Sequence, residues 1–153
     1  MITKKKGMNI LVKNTALLID TNIVLDFFLG REPFVECADE IMRYCIIGKI
    51  QGYLASHTLL NSFYITRKQK SIAERKEFLL MLCEKFIIVG VNKQTIMSSL
   101  QNEEWDDLED GLQIQCAIIE DLNYIITRDP KGFESSKIQV LSPEEFLNLM
   151  KNK

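Results

Sequence analysis

The sequence predicts an α/β fold in which helices cover both faces of a central parallel sheet of four to five strands. Two patterns predict it: short, continuous apolar runs that are typical of strands buried on both faces, and longer stretches between them with apolar residues at three- and four-residue spacing. Strands that alternate with helices favour parallel pairing, because each helix carries the chain back across the sheet.

The five strand candidates are apolar runs bounded by polar residues. The fifth is shorter than the others and is expected at an edge of the sheet. In chain order the candidates are residues 16–19, 52–55, 86–89, 124–127 and 138–141.

Helices are predicted between these strands from apolar periodicity and from end signals. Gly48 follows the first helix as a stop signal, and Ser142 with Pro143 marks the start of the last. The predicted helices are residues 34–47, 58–67, 73–83, 93–100, 112–122 and 146–150.

The composition is that of an ordinary soluble globular protein. Hydrophobic residues make up 46% and charged residues 26% of the 153 residues, so we expect a single domain at residues 15–153 after an N-terminal extension at residues 1–14. The net charge of −2 argues against a protein that coats nucleic acid through bulk positive charge. It is compatible with an enzyme that binds a single nucleic-acid strand through a few local contacts.

The apolar runs and the cysteines indicate in which cellular compartment the protein is expected. No apolar run approaches the roughly 20 residues needed to cross a bilayer. The four cysteines are widely spaced and form no C-x-x-C pair, so we expect free thiols. Free thiols favour a reducing compartment, and we therefore predict a cytoplasmic protein without membrane contact.

Acidic residues stand where a parallel α/β sheet gathers its ligands. Asp20 directly follows the first predicted strand, Asp129 follows the fourth, and a third acidic group occupies residues 106–110. Because the carboxyl ends of parallel strands share one edge, we expect these acids to lie near one another. Crowded carboxylates repel, and a divalent cation such as Mg²⁺ relieves that repulsion and can activate water against a phosphodiester.

Each acid also has an ordinary structural alternative. Asp20 and Asp129 suit turns or helix starts, and Asp107 with Asp110, three residues apart, suits a capping pair. The topology predicts that these acids lie close together, so as a group they indicate a metal site more strongly than any one of them does.

Four segments, in order, resemble the signature blocks of the PIN domain family, and together they span about residues 16 to 147. The segments are Leu18-Ile-Asp20-Thr-Asn22-Ile-Val-Leu-Asp26, Asp107-Leu-Glu-Asp110-Gly-Leu-Gln-Ile-Gln-Cys-Ala117, Ile125-Ile-Thr127-Arg-Asp129-Pro-Lys-Gly-Phe133 and Val140-Leu-Ser-Pro-Glu-Glu-Phe146.

This resemblance implies a three-layer α/β/α sandwich and a ribonuclease site that depends on Mg²⁺ or Mn²⁺. Asp20, Asp110 and Asp129 would be its catalytic, metal-binding acids. Asn61 stands where the family usually places a further acid, and an amide can neither act as a base nor add negative charge.

Other residues are expected to support the site or to contact RNA. The supporting residues are Asn22, Asn61, Asp107 and Thr127. The candidate contacts to the RNA backbone are Arg128, Lys131 and Arg67, although Arg67 also suits a helix C-terminus. His57 is the only histidine, which excludes a multi-histidine metal site, and we expect it on the surface or in a cap.

The resemblance favours a metal-dependent endoribonuclease that hydrolyses RNA phosphodiester bonds, similar to the VapC-like toxins of toxin–antitoxin pairs. It implies an RNA substrate, an antitoxin protein and a homodimer as partners, and the apolar surroundings of Phe27, Phe28 and Tyr64 suit a protein partner. The alternative, which Asn61 favours, is a degenerate PIN module that binds RNA or protein without cleavage.

Overall fold

Five strands form the centre of the fold in the computed structural model, which describes residues 14–152; the extension predicted for residues 1–14 lies outside these residues except for Asn14. The strands are β1 (Ala16–Ile19), β2 (Gln51–Ala55), β3 (Ile87–Val89), β4 (Tyr124–Ile126) and β5 (Gln139–Leu141). All four neighbouring pairs are parallel, and the order across the sheet is β3-β2-β1-β4-β5. The parallel sheet and the edge position of the fifth strand are therefore confirmed.

In the described part of the chain α-helices connect the first four strands, and a short 3₁₀ turn connects β4 to β5. The helices are α1 (Thr21–Leu29), α2 (Val35–Ile46), α3 (Ser56–Ile65), α4 (Ile72–Lys85), α5 (Lys93–Gln101), α6 (Leu108–Ile119) and α7 (Pro143–Lys151), with short 3₁₀ turns at Thr66–Lys68 and Pro130–Phe133. The two predicted end signals are both present. Gly48 has a φ of 74° just beyond α2, and Ser142 begins α7 with a capping box to Glu145.

Side chains that alternate along β1 separate two hydrophobic cores. Leu17 and Ile19 pack with residues of α1, α2, α4 and α7, whereas Leu18 packs on the other face with residues of α6. These three side chains are fully buried, and each contributes about 1.5–3 kcal/mol of hydrophobic free energy. Helices therefore cover both faces of the sheet, which is the α/β/α arrangement expected.

The largest differences from the expectation are at α1, α3 and α6. No helix was predicted at α1, because none of its residues is exposed and no polar face delimits it. α3 begins at Ser56 rather than at residue 58 and gives way to a 3₁₀ turn after Ile65. α6 begins at Leu108 rather than at residue 112, because its first turn is polar while apolar spacing begins only at Leu112.

The register of the sheet brings the ends of β1 and β4 together. Ile19 is opposite Ile126, and the backbone N–H of Asp20 donates to the carbonyl oxygen of Ile126 at 3.0 Å. The residues that follow these strands, Asp20 and Thr127, therefore lie side by side at the carboxyl edge of the sheet. No helix within residues 14–152 has both the length and the apolar character needed to cross a membrane.

Candidate active site

Asp20 is a buried carboxylate held at the centre of the carboxyl edge. Its side chain does not cap α1, and Asp20 is only 4% exposed. Gln113 Nε2 donates to Oδ1 and Thr127 Oγ1 donates to Oδ2, each at 2.8 Å. Burial raises the pKa of Asp20, although these hydrogen bonds oppose the rise. Both carboxylate oxygens are thus oriented by partners from two other segments of the chain.

Asp110 lies in the first turn of α6 among other acids. Its pKa is raised to about 7, first by burial and then by the nearby charges of Asp107, Asp20, Glu109 and Asp129. These charges reach Asp110 from four positions around it, so the acids predicted from sequence belong to one electrostatic cluster.

The turn after β4 packs closely against the Asp110 carboxyl group. A Cβ atom on Gly132 would lie 2.8 Å from Asp110 Cγ, which is nearer than real Cβ atoms approach. Only glycine therefore lets this turn lie against Asp110 without a shift of its neighbours.

Asp129 and Asp107 are the exposed members of the cluster. The backbone N–H of Asp129 donates to Thr127 Oγ1 at 3.1 Å, so the same hydroxyl group links Asp129 to Asp20. Asp107 is the N-cap of α6, and its Oδ1 accepts a hydrogen bond from the backbone N–H of Asp110 at 3.1 Å. The capping alternative is thus observed for Asp107, whereas the Asp20 and Asp129 side chains cap nothing.

A second group of polar side chains extends the cluster toward α3. Thr21 Oγ1 donates to Glu109 Oε1 at 2.9 Å, and it lies 2.9 Å from Thr58 Oγ1. Thr21 and Thr58 are both buried. Asn61, the residue predicted in place of an acid, is half-buried one turn beyond Thr58 on α3, and Asn22 is half-buried in the first turn of α1.

The carboxylates and the buried amide of this site suit a hydrated divalent cation. Gln113 is fully buried, and its Oε1 accepts no hydrogen bond from the described residues, so the site contains a buried acceptor without a donor. Within residues 14–152, no three Asp, Glu, His or Cys side chains already form a ligand cage. Mg²⁺ typically takes one or two direct carboxylates and keeps several waters, and those waters can supply the missing donors.

Arg128 is occupied by another carboxylate. Its Nε and Nη2 donate to Asp26 Oδ2 and Oδ1 at 2.8 and 3.3 Å, and its guanidinium lies 4.1 Å from the centre of the Phe34 ring. Asp26 is fully buried, and Arg31 Nη1 lies 3.7 Å from its Oδ1. In this geometry Arg128 fixes α1 to the end of β4, and a contact between Arg128 and RNA stays a prediction.

The other two candidate RNA contacts lie at different distances from the acids. Lys131 is exposed and shares a crevice of about 280 Å³ with Asp107 and Gly132. Arg67 packs its guanidinium 3.9 Å from the Tyr64 ring centre, beyond the far end of α3. Since α3 begins at the carboxyl edge and its ten residues make a helix about 15 Å long, Arg67 lies past the end of α3 that is away from this edge. The structure thus brings Lys131, but not Arg67, close to the acids.

His57 differs from its expected surface or capping role. Both ring nitrogens are buried without a hydrogen-bond partner among the described residues. Burial lowers the pKa of His57, and the charge of Glu109 partly opposes this change. The imidazole therefore lies beside the acidic cluster in its neutral form.

Sequence reasoning missed Glu109 and Gln113 as site residues. They are four residues apart, so they share one face of α6. The misplaced start of α6 hid this face, because Glu109 then fell outside the predicted helix. A helix start placed by the Asp107 cap instead of by apolar spacing would have found both.

The sequence matches a protein-family model, that of the PIN domain. The match covers residues 16–131, which is about three quarters of this chain. A search of curated proteins finds no match.

Solved structures show the same fold at low sequence identity. A toxin–antitoxin complex from Klebsiella pneumoniae aligns with a TM-score of 0.63 and 22% identity, over 83% of this chain and 97% of that chain. VapC20 from Mycobacterium tuberculosis, described as a sarcin–ricin loop cleaving toxin, aligns with a TM-score of 0.62 and 7% identity, over 76% and 92%. VapBC2 from Rickettsia felis, bound to a promoter DNA fragment, aligns with a TM-score of 0.61 and 14% identity, over 84% and 98%. With its profile match and its three-layer fold, the chain belongs to the PIN domain family.

Proposed function

We propose that this protein is an endoribonuclease that hydrolyses RNA phosphodiester bonds with the help of Mg²⁺ or Mn²⁺. The observation that carries the proposal is the convergence of acids from three segments of the chain. Thr127 Oγ1 donates to the buried Asp20 carboxylate and accepts from the backbone N–H of Asp129. The turn after Asp129 lies against the Asp110 carboxyl group at Gly132. Three acids from three distant segments, without a cation among them, repel one another at neutral pH. A divalent cation removes that repulsion.

The chain's own residues have distinct roles in this proposal. Asp20, Asp110 and Asp129 hold the cation, directly or through water. Gln113 and Thr127 orient the Asp20 oxygens, and Asn22, Asn61 and Asp107 support the surrounding polar network. When bound, a divalent cation supplies an activated water molecule and neutralises charge that develops on the phosphodiester.

Lys131 is our proposed contact to the RNA backbone. It is the candidate cation that lies beside Asp107 and Gly132, and its side chain is exposed. A phosphate held there would lie next to the acids. Arg128 contributes by fixing the segment that precedes Asp129, and Arg67 would contact only a longer RNA.

Cleavage of a mixture of transfer and ribosomal RNA tests the proposed activity. Wild-type protein should cleave in Mn²⁺ or Mg²⁺ and stop cleaving in EDTA, and Asp20→Asn should reduce cleavage at least about a hundredfold. The matched control is Asp39→Asn, which makes the same change on α2, where Asp39 pairs with Arg43. Cleavage that Asp20→Asn leaves intact would contradict the assignment.

We also propose an antitoxin protein as the partner and a homodimer as the assembly. One structural neighbour is a toxin–antitoxin complex, which supports an antitoxin. Exposed apolar side chains on α3 and α4, including Leu60, Tyr64 and Leu80, provide a surface that suits a protein partner. Co-purification with the product of an adjacent small gene tests the antitoxin, and light scattering of the isolated chain tests the dimer.

A second candidate is a PIN module that binds RNA without cutting it, because Asn61 supplies no charge where the family usually has an acid. The module predicts RNA binding that Mn²⁺ does not change and that Asp20→Asn does not affect. A gel-shift titration beside the cleavage assay separates the two functions.

A further inference from the structure

We propose that Glu109 supplies the fourth carboxylate of this site from α6, in place of the acid that Asn61 lacks on α3. Glu109 would hold the divalent cation directly or through one of its waters. The inference rests on the proposed metal-dependent function and deepens it, because it assigns a residue that the resemblance to the family did not provide.

The hydrogen bonds around Glu109 have a fixed direction. Thr21 Oγ1 donates its one proton to Glu109 Oε1, so the 2.9 Å contact between Thr21 and Thr58 requires Thr58 to be the donor. The chain from Thr58 through Thr21 therefore ends on the Glu109 carboxylate. Thr58 lies on α3, one turn before Asn61. The carboxylate next to this part of α3 is therefore Glu109, which belongs to α6.

Glu109 also lies on the face of α6 that contacts Asp20. Gln113, four residues further along, donates to Asp20 Oδ1 at 2.8 Å. Thr21, which holds Glu109 Oε1, directly follows Asp20 in the chain. In the described part of the chain no hydrogen bond engages Glu109 Oε2, so this oxygen is available to a cation or its water.

An independent observation points to a ligand at this place. Gln113 is fully buried, and its Oε1 has no donor among the described residues. Both ring nitrogens of His57, beside Glu109, are also buried and unpartnered. Buried polar atoms are normally satisfied by protein or by ordered water. The water shell of a cation between Asp20 and Glu109 would supply a donor to Gln113 Oε1 and to the unprotonated nitrogen of the neutral His57 ring.

The charge of the site supports the same assignment. Asp20, Asp110 and Asp129 contribute three carboxylates, and Glu109 makes four, which is the number that an acid at position 61 would have given. Affinity for hard cations depends on how many charged ligands surround them. A Glu109 that only complements the dipole of α6 would affect metal affinity through its charge alone, and an acid at position 61 would not replace it.

Mn²⁺ binding to the full chain, followed by the EPR signal of free Mn²⁺, tests the assignment without an activity assay. Glu109→Gln should weaken binding about tenfold or more. The matched control is Glu103→Gln, which removes the same charge from an exposed residue before α6 and should change affinity less than about twofold. Adding Asn61→Asp to Glu109→Gln should restore most of the loss, because it returns the fourth carboxylate.

The outcomes separate this inference from the proposed function. If the wild type binds Mn²⁺ saturably and Glu109→Gln binds it equally well, the role of Glu109 is overturned but the proposed function is not. The same conclusion follows if Glu109→Gln loses affinity and Asn61→Asp does not restore it. If Glu109→Gln fails to fold, Asn61→Asp alone still decides. A gain of about tenfold would mean that the wild-type site is short of an acid and would overturn the inference, whereas a small change supports it. Absence of saturable wild-type binding overturns the proposed function and this inference together.

Discussion

Gln113 Nε2 donates to Asp20 Oδ1 at 2.8 Å, and this bond joins residues 93 positions apart in the chain. Both side chains are buried, and the Asp20 carboxylate has Thr127 as its second donor. The bond fixes one face of α6 against the end of β1. It thereby determines where Glu109 and Asp110, one turn earlier, meet Asp20.

Replacement of Gln113 should weaken both metal binding and the fold. Gln113→Leu leaves Asp20 Oδ1 without its donor, so we expect Mn²⁺ affinity to fall about 10–100-fold, as for other residues that orient metal ligands. The free energy of unfolding should fall by about 1–3 kcal/mol. Calorimetric Mn²⁺ titration measures the first, with Gln115→Leu on the same helix as the control. Equal affinity in the two variants would exclude an orienting role.

The pair between Arg128 and Asp26 should contribute strongly to stability. Arg128→Ala leaves the fully buried Asp26 carboxylate with only Arg31 at 3.7 Å, and loss of one partner from a buried pair costs about 3–5 kcal/mol. Urea denaturation measures the change. Arg67→Ala is the control, since Arg67 is exposed, and it should cost about 1 kcal/mol or less. Similar values for the two variants would refute this account of Arg128.

A methyl group at position 132 should disturb Asp110. The Cβ atom of Gly132→Ala would lie 2.8 Å from Asp110 Cγ, so the Asp110 carboxylate or the turn must move. A misplaced ligand or orienting group reduces metal affinity about 10–100-fold, and we expect a loss in this range. Gly90→Ala is the matched control, because its Cβ would have no heavy atom within 4 Å and its φ is compatible with alanine. Wild-type affinity in Gly132→Ala would show that the contact is unimportant.

The raised pKa of Asp110 predicts how metal binding depends on pH. Below its pKa of about 7, a proton occupies Asp110 and competes with the cation. Mn²⁺ affinity should therefore fall about tenfold for each unit that the pH drops below 7, and it should be nearly constant above 7. In Asp110→Asn the slope should be smaller. An affinity independent of pH between 5.5 and 7.5 would mean that Asp110 does not contribute to binding.

Much of the fold could be predicted because continuous apolar runs carry the strands. β1 has the predicted bounds, and the other strands differ by a residue at one end. Their alternation with helices predicted the parallel sheet, and the carboxyl-edge rule predicted that Asp20 would lie beside the residues after β4. These features depend on local pattern and on topology, which a single sequence contains.

The rest of the site depends on contacts that local pattern does not contain. Arg128 was predicted from its position beside Asp129, yet it pairs with Asp26, 102 residues away, because a fully buried carboxylate requires a cation. Glu109 was missed because the first turn of α6 faces polar groups and lacks apolar spacing. Local periodicity identifies the side of a helix that faces the core, but not the side that faces an acidic cluster.

The most direct test of the account is a crystal structure of the protein soaked in Mn²⁺, with anomalous difference maps that locate the ion. We predict one strong peak between Asp20, Asp110 and Glu109, with at least one carboxylate oxygen at about 2.0–2.3 Å and the remaining acids reached through water. A peak bound elsewhere, or no peak near Asp20 at saturating Mn²⁺, would contradict it.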